Sequence, residues 1–165
     1  MTYNKQPITE KIIRFQDCDP FGHLNNSKYL DYMINAREDH LIEEYGLNIF
    51  NMAKQHGKSW VVGHSEIVYL KPAVVMEKVK VQSRLIDFSD RSVKAEIVML
   101  DSNEEHIKAV LWSKFVHYDL KALKSTAHSA DLSELLEKVH VPIEEQTLEL
   151  RVKKLVEEVR QVQKV

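Results

Sequence analysis

One long helical segment stands between a short β-rich segment and four further ones, and this order constrains the fold more than any other feature. Asn25, Asn26 or Ser27 can cap the start of the helix, and Gly46 can end it. The apolar residues between these limits recur at helical spacing; they are Leu30, Met33, Ile34, Leu41 and Tyr45. The pattern predicts a helix of about five turns over residues 28–45.

β-branched and aromatic residues dominate the segments on either side of this helix. Residues 8–16 predict a strand that ends before Asp19-Pro20, and residues 48–58 predict a mixed connection. Four more strands are predicted, the first of them buried; they are residues 60–70, 79–88, 93–100 and 107–118. Four consecutive antiparallel strands after one long helix predict an α+β fold in which the helix covers one face of a sheet.

A chain of 165 residues predicts one folded domain. We expect residues 1–130 to form its main part and residues 131–165 to form a helical extension, which Pro142 divides into a short helix and a second over residues 144–163. A heptad-like stripe in the second helix can contact a partner helix, but two repeats favour packing on the protein's own body. The stripe consists of Leu148, Val152, Leu155, Val159 and Val162.

Charge, apolar runs and cysteine content argue against several classes of protein. A net charge of −2 gives no basic field for nucleic acid. The sequence has no apolar run of about 20 residues for a membrane span, and its first seven residues lack the apolar core of a signal peptide. With Cys18 as the only cysteine, these features predict a cytoplasmic protein without membrane or nucleic-acid partners.

The segment between the first strand and the helix is unusually rich in functional groups. Asp17 and Asp19 are followed by Gly22, His23 and two asparagines before the helix begins. Polar residues of these types at a strand-to-helix junction indicate a functional site.

The segment from Asp17 to Tyr29 has the form Asp-x-Asp-x-x-Gly-His-x-Asn-Asn-x-x-Tyr, and Tyr69 to Ala73 has the form Tyr-x-x-Pro-Ala. Over residues 8–120 the chain resembles hotdog-fold proteins, and more narrowly the 4-hydroxybenzoyl-CoA thioesterase-like family. The resemblance implies an antiparallel sheet wrapped around one helix and hydrolysis of an acyl-CoA to an acid and CoA. It also implies a homodimer or homotetramer with active sites between subunits, and no cofactor beyond the CoA that the substrate carries.

Thioester hydrolysis needs a carboxylate that attacks the carbonyl or activates water. Asp19 matches the catalytic aspartate of the family in its spacing to Gly22 and Tyr29, so we expect it to act as nucleophile or general base. The alternative is an Asx-turn between Asp19 and Pro20. Asp17 is the weaker candidate, because an aspartate at a strand end commonly bonds nearby backbone amides.

The reaction also needs a donor for the developing oxyanion. The free backbone N–H groups at the helix start can supply it, and the resemblance points to Asn26, whose side chain can instead serve as the cap. His23 can orient Asp19, hold water or protonate the leaving thiolate, or it can simply bond the loop backbone. We expect Tyr29 to pack against and orient the loop, with Gly22 and Tyr29 next to the substrate.

Two further groups of residues are candidates. His64 and Glu66 would share a strand face with Trp60, Val62 and Val68, where they can contact the acyl group or a second subunit, or form a hydrogen-bonded structural pair. Some hotdog thioesterases carry the catalytic carboxylate on the long helix. The corresponding reserve candidates here are Asp31, Glu38 and Asp39.

The phosphates of CoA would require cations, for which Lys71, Arg91 and Lys94 are candidates near strand ends. With four glycines the chain has no glycine-rich phosphate loop, and its eight histidines lack zinc-ligand spacing, so we expect no metal. Two alternative functions stay open. One is a non-catalytic acyl-thioester-binding module, and the other is hydrolysis of thioesters on acyl carrier protein.

Overall fold

The computed structural model describes residues 2–164, which form a six-stranded antiparallel sheet and four α-helices. A 3₁₀ turn at Phe15–Asp17 joins the first strand to the first helix. The elements in chain order are β1 Ile8–Ile12, α1 Asn26–Tyr45, α2 Ile49–His56, β2 Lys58–Tyr69, β3 Lys78–Phe88, β4 Ser92–Asp101, β5 Ile107–Asp119, β6 Lys124–Ser125, α3 Ala130–Val139 and α4 Leu148–Val162.

The sheet has the strand order β1-β3-β4-β5-β2, with β6 paired to the end of β5. This confirms the predicted α+β class, but the four antiparallel strands predicted to follow the helix do not all pair in chain order. Only β3, β4 and β5 form a meander, because β2 crosses to the far edge and pairs with β5. No helix within residues 2–164 is both long enough and apolar enough to cross a membrane.

Helix α1 lies in the concavity of the sheet; it ends where the sequence predicts and begins at Asn26 instead of residue 28, with Asn25 as the cap among the three candidates. Asn25 Oδ1 accepts the Ser27 N–H at 3.0 Å, and Gly46 ends the helix with a φ of 66°. Met33 and Ala36 are both fully buried against residues of the sheet's inner face. Apolar burial of this kind, rather than helix propensity, stabilises most protein helices.

The first strand is shorter than predicted, ending at Ile12 instead of Gln16. Ile12 pairs with Lys78, the first residue of β3, so the ladder has no further partner. The chain then leaves the sheet through the 3₁₀ turn, in which the Asp17 N–H donates to the Arg14 carbonyl.

Helix α2 was missed by the sequence analysis, which predicted a mixed connection there. It is only eight residues long, so its apolar residues repeat too few times along the sequence to identify a helix. Its cap follows the usual rule, since Asn48 Oδ1 accepts the Asn51 N–H at 3.0 Å.

Strand β2 is an exposed edge strand, so the prediction of a buried strand was wrong. A β-bulge between Val62 and His64 also changes which side chains share a face. Trp60 and Val62 point towards α1, whereas His64 and Glu66 point to the outer face, because the extra residue reverses the alternation. The predicted common face is therefore divided, because Val68 shares the outer face with His64 and Glu66 while Trp60 and Val62 lie on the inner face.

The outer face of the sheet is covered by α4. Leu148, Val152 and Leu155 are buried against β3, β4 and β5, and Val159 packs beside them. This confirms that the heptad-like stripe packs on the protein's own body, although Val162 at its end is exposed.

A buried ion cluster ties α4 to the sheet. The Glu96 carboxylate has no exposed surface, and its Oε2 accepts from Arg151 Nε at 2.8 Å and from Trp112 Nε1 at 3.0 Å. Its Oε1 accepts from Arg151 Nη2 at 3.0 Å, and Arg84 Nε lies 3.1 Å from the same oxygen. The buried Glu96 carboxylate thus contacts two guanidinium groups, and Arg151 also pairs with Glu145 at 3.4 Å.

We expect Glu96→Ala to destabilise the protein by about 3–5 kcal/mol, because it leaves the buried Arg84 without its counter-charge and removes the two shortest contacts of Arg151. Urea unfolding followed by circular dichroism measures the change. Glu149→Ala is the control, since the Glu149–Lys153 pair at 3.0 Å is exposed and should contribute less than about 1 kcal/mol. Equal effects of the two substitutions would contradict the role of the cluster.

Candidate active site

The loop before α1 folds around Asp19. The Gly22 N–H donates to the Asp19 carbonyl at 3.0 Å, and Gly22 has a φ of 74°, which favours glycine. Asp19 Oδ1 accepts the N–H groups of Phe21 at 2.9 Å and His23 at 3.1 Å, so the expected Asx-turn forms. Asp19 Oδ2 makes no hydrogen bond within residues 2–164, and one carboxylate oxygen remains available for chemistry.

The opposite wall of the site is the segment that follows β2. The Leu24 N–H donates to the Ala73 carbonyl at 2.8 Å, and the Ala73 N–H donates to the Tyr29 hydroxyl at 3.0 Å. Lys108 Nζ donates to the Pro72 carbonyl at 3.1 Å and pairs with Glu77 at 2.7 Å. Because Ala73 is completely buried among these contacts, the wall is held in one position relative to α1.

The start of α1 leaves one backbone donor free. Asn25 Oδ1 accepts the Ser27 N–H at 3.0 Å, and the Asn25 carbonyl accepts the Lys28 N–H at 2.8 Å. The Asn26 N–H has no partner within the described part of the chain. The cap is therefore Asn25, and the Asn26 N–H lies at the positive end of the helix dipole.

These groups meet in one cleft of about 220 Å³, which we call the Asp19 cleft. Its polar lining residues are Asp19, His23, Asn26, Tyr29, Tyr69 and Lys71. Within residues 2–164 the His23 imidazole makes no hydrogen bond, while the Tyr29 hydroxyl accepts the Ala73 N–H. Residues that carry a carboxylate, an imidazole and a helix N–H thus line one cleft, and groups of these kinds can bind a carbonyl and activate water.

Tyr69 is the residue of this cleft to which the sequence analysis gave no role. Its hydroxyl donates to the Asn26 carbonyl at 3.0 Å, and its ring packs edge-on against Tyr29 with centroids 5.1 Å apart. Tyr69 therefore positions the peptide next to the free N–H. Its place as the first residue of the Tyr-x-x-Pro-Ala segment was the sequence feature that could have indicated a role for Tyr69 in the site.

Asp17 lies outside the cleft lining. Its Oδ2 accepts the Tyr32 hydroxyl at 2.6 Å, and the same hydroxyl accepts the Arg14 N–H at 3.0 Å. Burial and the bond to Asp17 raise the pKa of Tyr32. Asp17 thus fastens the loop to α1, through a helix hydroxyl rather than the backbone amides expected from the sequence.

Several other predicted site residues are not brought to the cleft of their own chain. His64 and Glu66 are exposed on the outer face of β2, with no hydrogen bond between them. Arg91 Nη1 donates to the Ser125 carbonyl at 3.2 Å, and Lys94 Nζ lies 3.9 Å from the centre of the Trp112 ring.

The three reserve carboxylates on α1 have different surroundings. Asp31 pairs with Lys28 at 3.3 Å, and Asp39 pairs with Lys11 at 2.7 Å. Glu38 instead lines an apolar cavity, where burial and the nearby Asp39 charge raise its pKa.

This apolar cavity has a volume of about 160 Å³ and lies beside the C-terminal half of α1, away from the Asp19 cleft of the same chain. Apolar side chains form most of its wall, including Ile34, Leu41, Trp60, Val62, Phe115 and Leu136. We call it the α1 cavity.

A buried polar cluster lies next to the α1 cavity. Arg37, which lines the cavity, donates from Nη1 to Ser83 Oγ at 3.2 Å, and His40 Nδ1 is 2.7 Å from the same oxygen. Burial, together with the Arg37 charge, lowers the pKa of His40 to about 4. His40 is therefore neutral at pH 7, and Arg37 supplies the positive charge of this cluster.

One group of possible metal ligands occurs in the described residues, at the turn between β4 and β5. Asp101, Glu105 and His106 place their ligand atoms within 4.8 Å of one another. Asp101 Oδ1 already accepts the N–H groups of Glu105 at 2.8 Å and His106 at 3.1 Å. This arrangement closes the turn and lowers the pKa of Asp101, with the N–H bonds outweighing burial.

Comparison with known proteins gives the class. The sequence model of the thioesterase-like superfamily matches residues 13–149, and the chain belongs to this family. It is 28% identical over 132 residues to the long-chain acyl-CoA thioesterase FadM of Escherichia coli K12, a match that covers 79% of this chain and 97% of that protein. The prediction of a thioester hydrolase is confirmed at the level of the family.

Solved structures confirm the hotdog fold. The crystal structure of YbaW, a probable thioesterase from Escherichia coli, superposes with a TM-score of 0.69 at 29% identity and covers 80% of this chain and 97% of that one. A DHNA-CoA thioesterase from Staphylococcus aureus superposes with a TM-score of 0.74 at 21% identity, covering 81% and 90% respectively. The second comparison bears on the fold alone.

Proposed function

We propose that this protein hydrolyses an acyl-CoA to the free acid and CoA in the Asp19 cleft. The observation that carries the proposal is that Asp19 and Asn26 line one cleft, while Asp19 Oδ2 and the Asn26 N–H have no hydrogen-bond partner within residues 2–164. The long-chain acyl-CoA named for the relative FadM supports an acyl-CoA as the substrate class. The reaction requires no cofactor other than the CoA that the substrate carries.

In this mechanism the thioester oxygen accepts a hydrogen bond from the Asn26 N–H, which polarises the carbonyl. Asp19 either takes a proton from a water molecule that attacks the carbonyl carbon or attacks that carbon itself. The tetrahedral intermediate then breaks its C–S bond, and the CoA thiolate takes up a proton. His23 lies on the same cleft and can give that proton. In the nucleophilic route, water subsequently hydrolyses the acyl–Asp19 anhydride.

The surrounding contacts hold the donor and the carboxylate in place before substrate arrives. Asn25 caps the neighbouring amides, Tyr69 holds the Asn26 carbonyl, and two loop N–H groups hold Asp19 Oδ1. Preorganised dipoles of this kind stabilise a developing charge without a reorganisation cost during the reaction.

We expect Asp19→Asn to lower kcat/KM for acyl-CoA hydrolysis by about 10²- to 10⁴-fold, because the amide cannot act as base or nucleophile. The substitution leaves the loop intact, since Asn Oδ1 can still accept the N–H groups of Phe21 and His23. Free-thiol release from short, long and aromatic acyl-CoAs measures the loss and identifies the preferred acyl group.

Asp17→Asn is the matched control, and its activity should stay within a few-fold of wild type because the Asp17 carboxylate bonds Tyr32 outside the cleft. Full activity in Asp19→Asn would reject the proposed role of Asp19. Binding of acyl-CoA by the wild-type protein without thiol release would favour the non-catalytic binding module instead.

We expect Asn26→Pro to lower kcat by about 10²- to 10³-fold, because it removes one oxyanion donor. Proline is well tolerated at the first position of a helix, and Asn25 already has the extended backbone that precedes proline, with a ψ of 135°. Asn26→Ala keeps the N–H and should remain active in the same thiol-release assay. Equal loss in both variants would assign the effect to the side chain instead.

A homodimer formed through β2 is the second part of the proposal. This edge strand is twelve residues long, and it exposes Val61, Val62 and Tyr69 at 39%, 58% and 41%. A long exposed strand edge offers a row of unpaired backbone groups to another strand. The opposite edge, β1, has five residues and exposes charged side chains, so β2 is the better surface for a second copy.

Two-fold pairing of β2 edges would also complete the site. Trp60 and Val62 in the first half of β2 line the α1 cavity, whereas Tyr69 at its end lines the Asp19 cleft. In an antiparallel pair the first half of one strand lies opposite the second half of the other. The α1 cavity of one copy would then lie beside the Asp19 cleft of its partner, where it can bury the acyl group.

We expect wild-type protein to sediment as a dimer or a dimer of dimers, and Val61→Lys to shift it towards monomer with loss of activity, because a charge on an edge strand opposes strand pairing. Analytical ultracentrifugation at several protein concentrations measures the change. A fully active wild-type monomer would contradict this part of the proposal.

A further inference from the structure

A groove on the outer side of the sheet adjoins the Asp19 cleft at the end of β2. Leu70 and Lys71 line both volumes, so the two share a wall. The N–H groups of Leu70 and Lys71 both donate to the Lys108 carbonyl, at 2.9 and 3.3 Å, which fixes the shared wall to β5. A flexible chain attached to a thioester in the cleft can therefore pass over this strand end.

The C-terminal end of α4 forms the other side of the groove, which has a volume of about 410 Å³. Gln163 Nε2 donates to the Glu105 carbonyl at 2.7 Å, which docks this end of α4 on the turn between β4 and β5. Val159, Arg160 and Gln163 line the groove together with His106. We call it the α4 groove.

The charges of the α4 groove favour an anion. Lys71 and Arg160 line it, and neither side chain makes an ion pair within residues 2–164, while Glu105 is the one carboxylate among its described lining residues. The basic residues further back along α4 have partners, since Lys153 pairs with Glu149 and Arg151 with Glu96. Among the described residues, Arg160 is thus the α4 cation without an ion pair, whereas Arg151, Lys153 and Lys154 are paired.

We propose that the α4 groove binds the phosphate groups of CoA, with Arg160 and Lys71 as their cationic contacts and the pantetheine arm lying over Leu70. This inference rests on the proposed acyl-CoA hydrolysis, because it takes the Asp19 cleft as the position of the thioester. Arginine suits the role because its planar guanidinium binds phosphate oxygens in a bidentate manner. Most of α4 follows residue 149, where the family match ends, so this part of the substrate site would be particular to the chain's own C-terminal helix.

The test compares thioesters with and without the nucleotide. We expect Arg160→Glu to raise KM for the preferred acyl-CoA by about tenfold or more, since it removes a charge-assisted contact and adds a repulsive one. Its kcat should stay near the wild-type value, because Arg160 does not line the Asp19 cleft. For the same acyl group on pantetheine, which has no phosphates, wild type and Arg160→Glu should have equal KM values.

Lys124→Glu is the matched control, because it changes the net charge equally but lies on β6, at the opposite end of β5 from the α4 groove. The proposal is overturned if Lys124→Glu raises KM as much as Arg160→Glu, or if Arg160→Glu raises KM equally for the pantetheine thioester. It is also overturned if Arg160→Glu affects only thioesters on acyl carrier protein, which would make the groove a protein-docking surface.

Direct binding separates this inference from the proposed function. Calorimetry should show that wild type and Asp19→Asn bind CoA equally, and that Arg160→Glu binds it at least tenfold more weakly. Wild type that binds CoA through Arg160 but releases no thiol from any acyl-CoA would reject the proposed hydrolysis and support the groove. Hydrolysis with unchanged CoA binding in Arg160→Glu would reject the groove and support the hydrolysis.

Discussion

The burial of α1 inside the curled sheet is the constraint on which the other features depend. Met33 and Ala36 are removed from solvent completely, so the helix axis and its rotation are fixed by packing against the strands. Close packing leaves a buried helix little freedom to shift. The first turn of α1 therefore keeps one position relative to the end of β2, and the Asp19 cleft forms where those two meet.

Two tyrosines turn this packing into a positioned site. The Tyr29 ring is buried with the core, and its hydroxyl accepts the Ala73 N–H, while the Tyr69 hydroxyl holds the Asn26 carbonyl. Each ring contributes apolar burial and each hydroxyl fixes a backbone group beside the cleft. The same residues thus stabilise the fold and fix the backbone beside the cleft that Asn26 and Asp19 line.

Helix α4 adds a second layer on the outer face of the sheet. Its apolar stripe buries that face, and the Glu96–Arg151 contacts fix its direction across the strands. This placement brings the last turn of α4 next to the end of β2, close to the cleft on the inner face. A sheet covered on both faces leaves the β2 edge as its long open border, which is where we place the second subunit.

Local features were the ones that the sequence predicted well. The helix cap at Asn25, the stop at Gly46 and the polar loop from Asp17 to His23 depend on residues within a few positions of one another. The Asx-turn at Asp19 was foreseen as an alternative to a catalytic role, and the structure allows both because only Oδ1 forms the turn. Short helix α2 escaped prediction because eight residues give too little periodicity.

By itself the sequence determined the α+β class, the long helix and the motif that identifies the family, because side-chain periodicity and capping act through the local backbone. Only the tertiary structure decided that β2 lies at the edge, that the bulge before His64 turns Glu66 away from α1, and that Arg160 and Lys71 line one groove beside the cleft. These outcomes depend on strand pairing and helix packing between distant residues. Many strand orders satisfy the same local pattern, and the packing of the whole chain selects one.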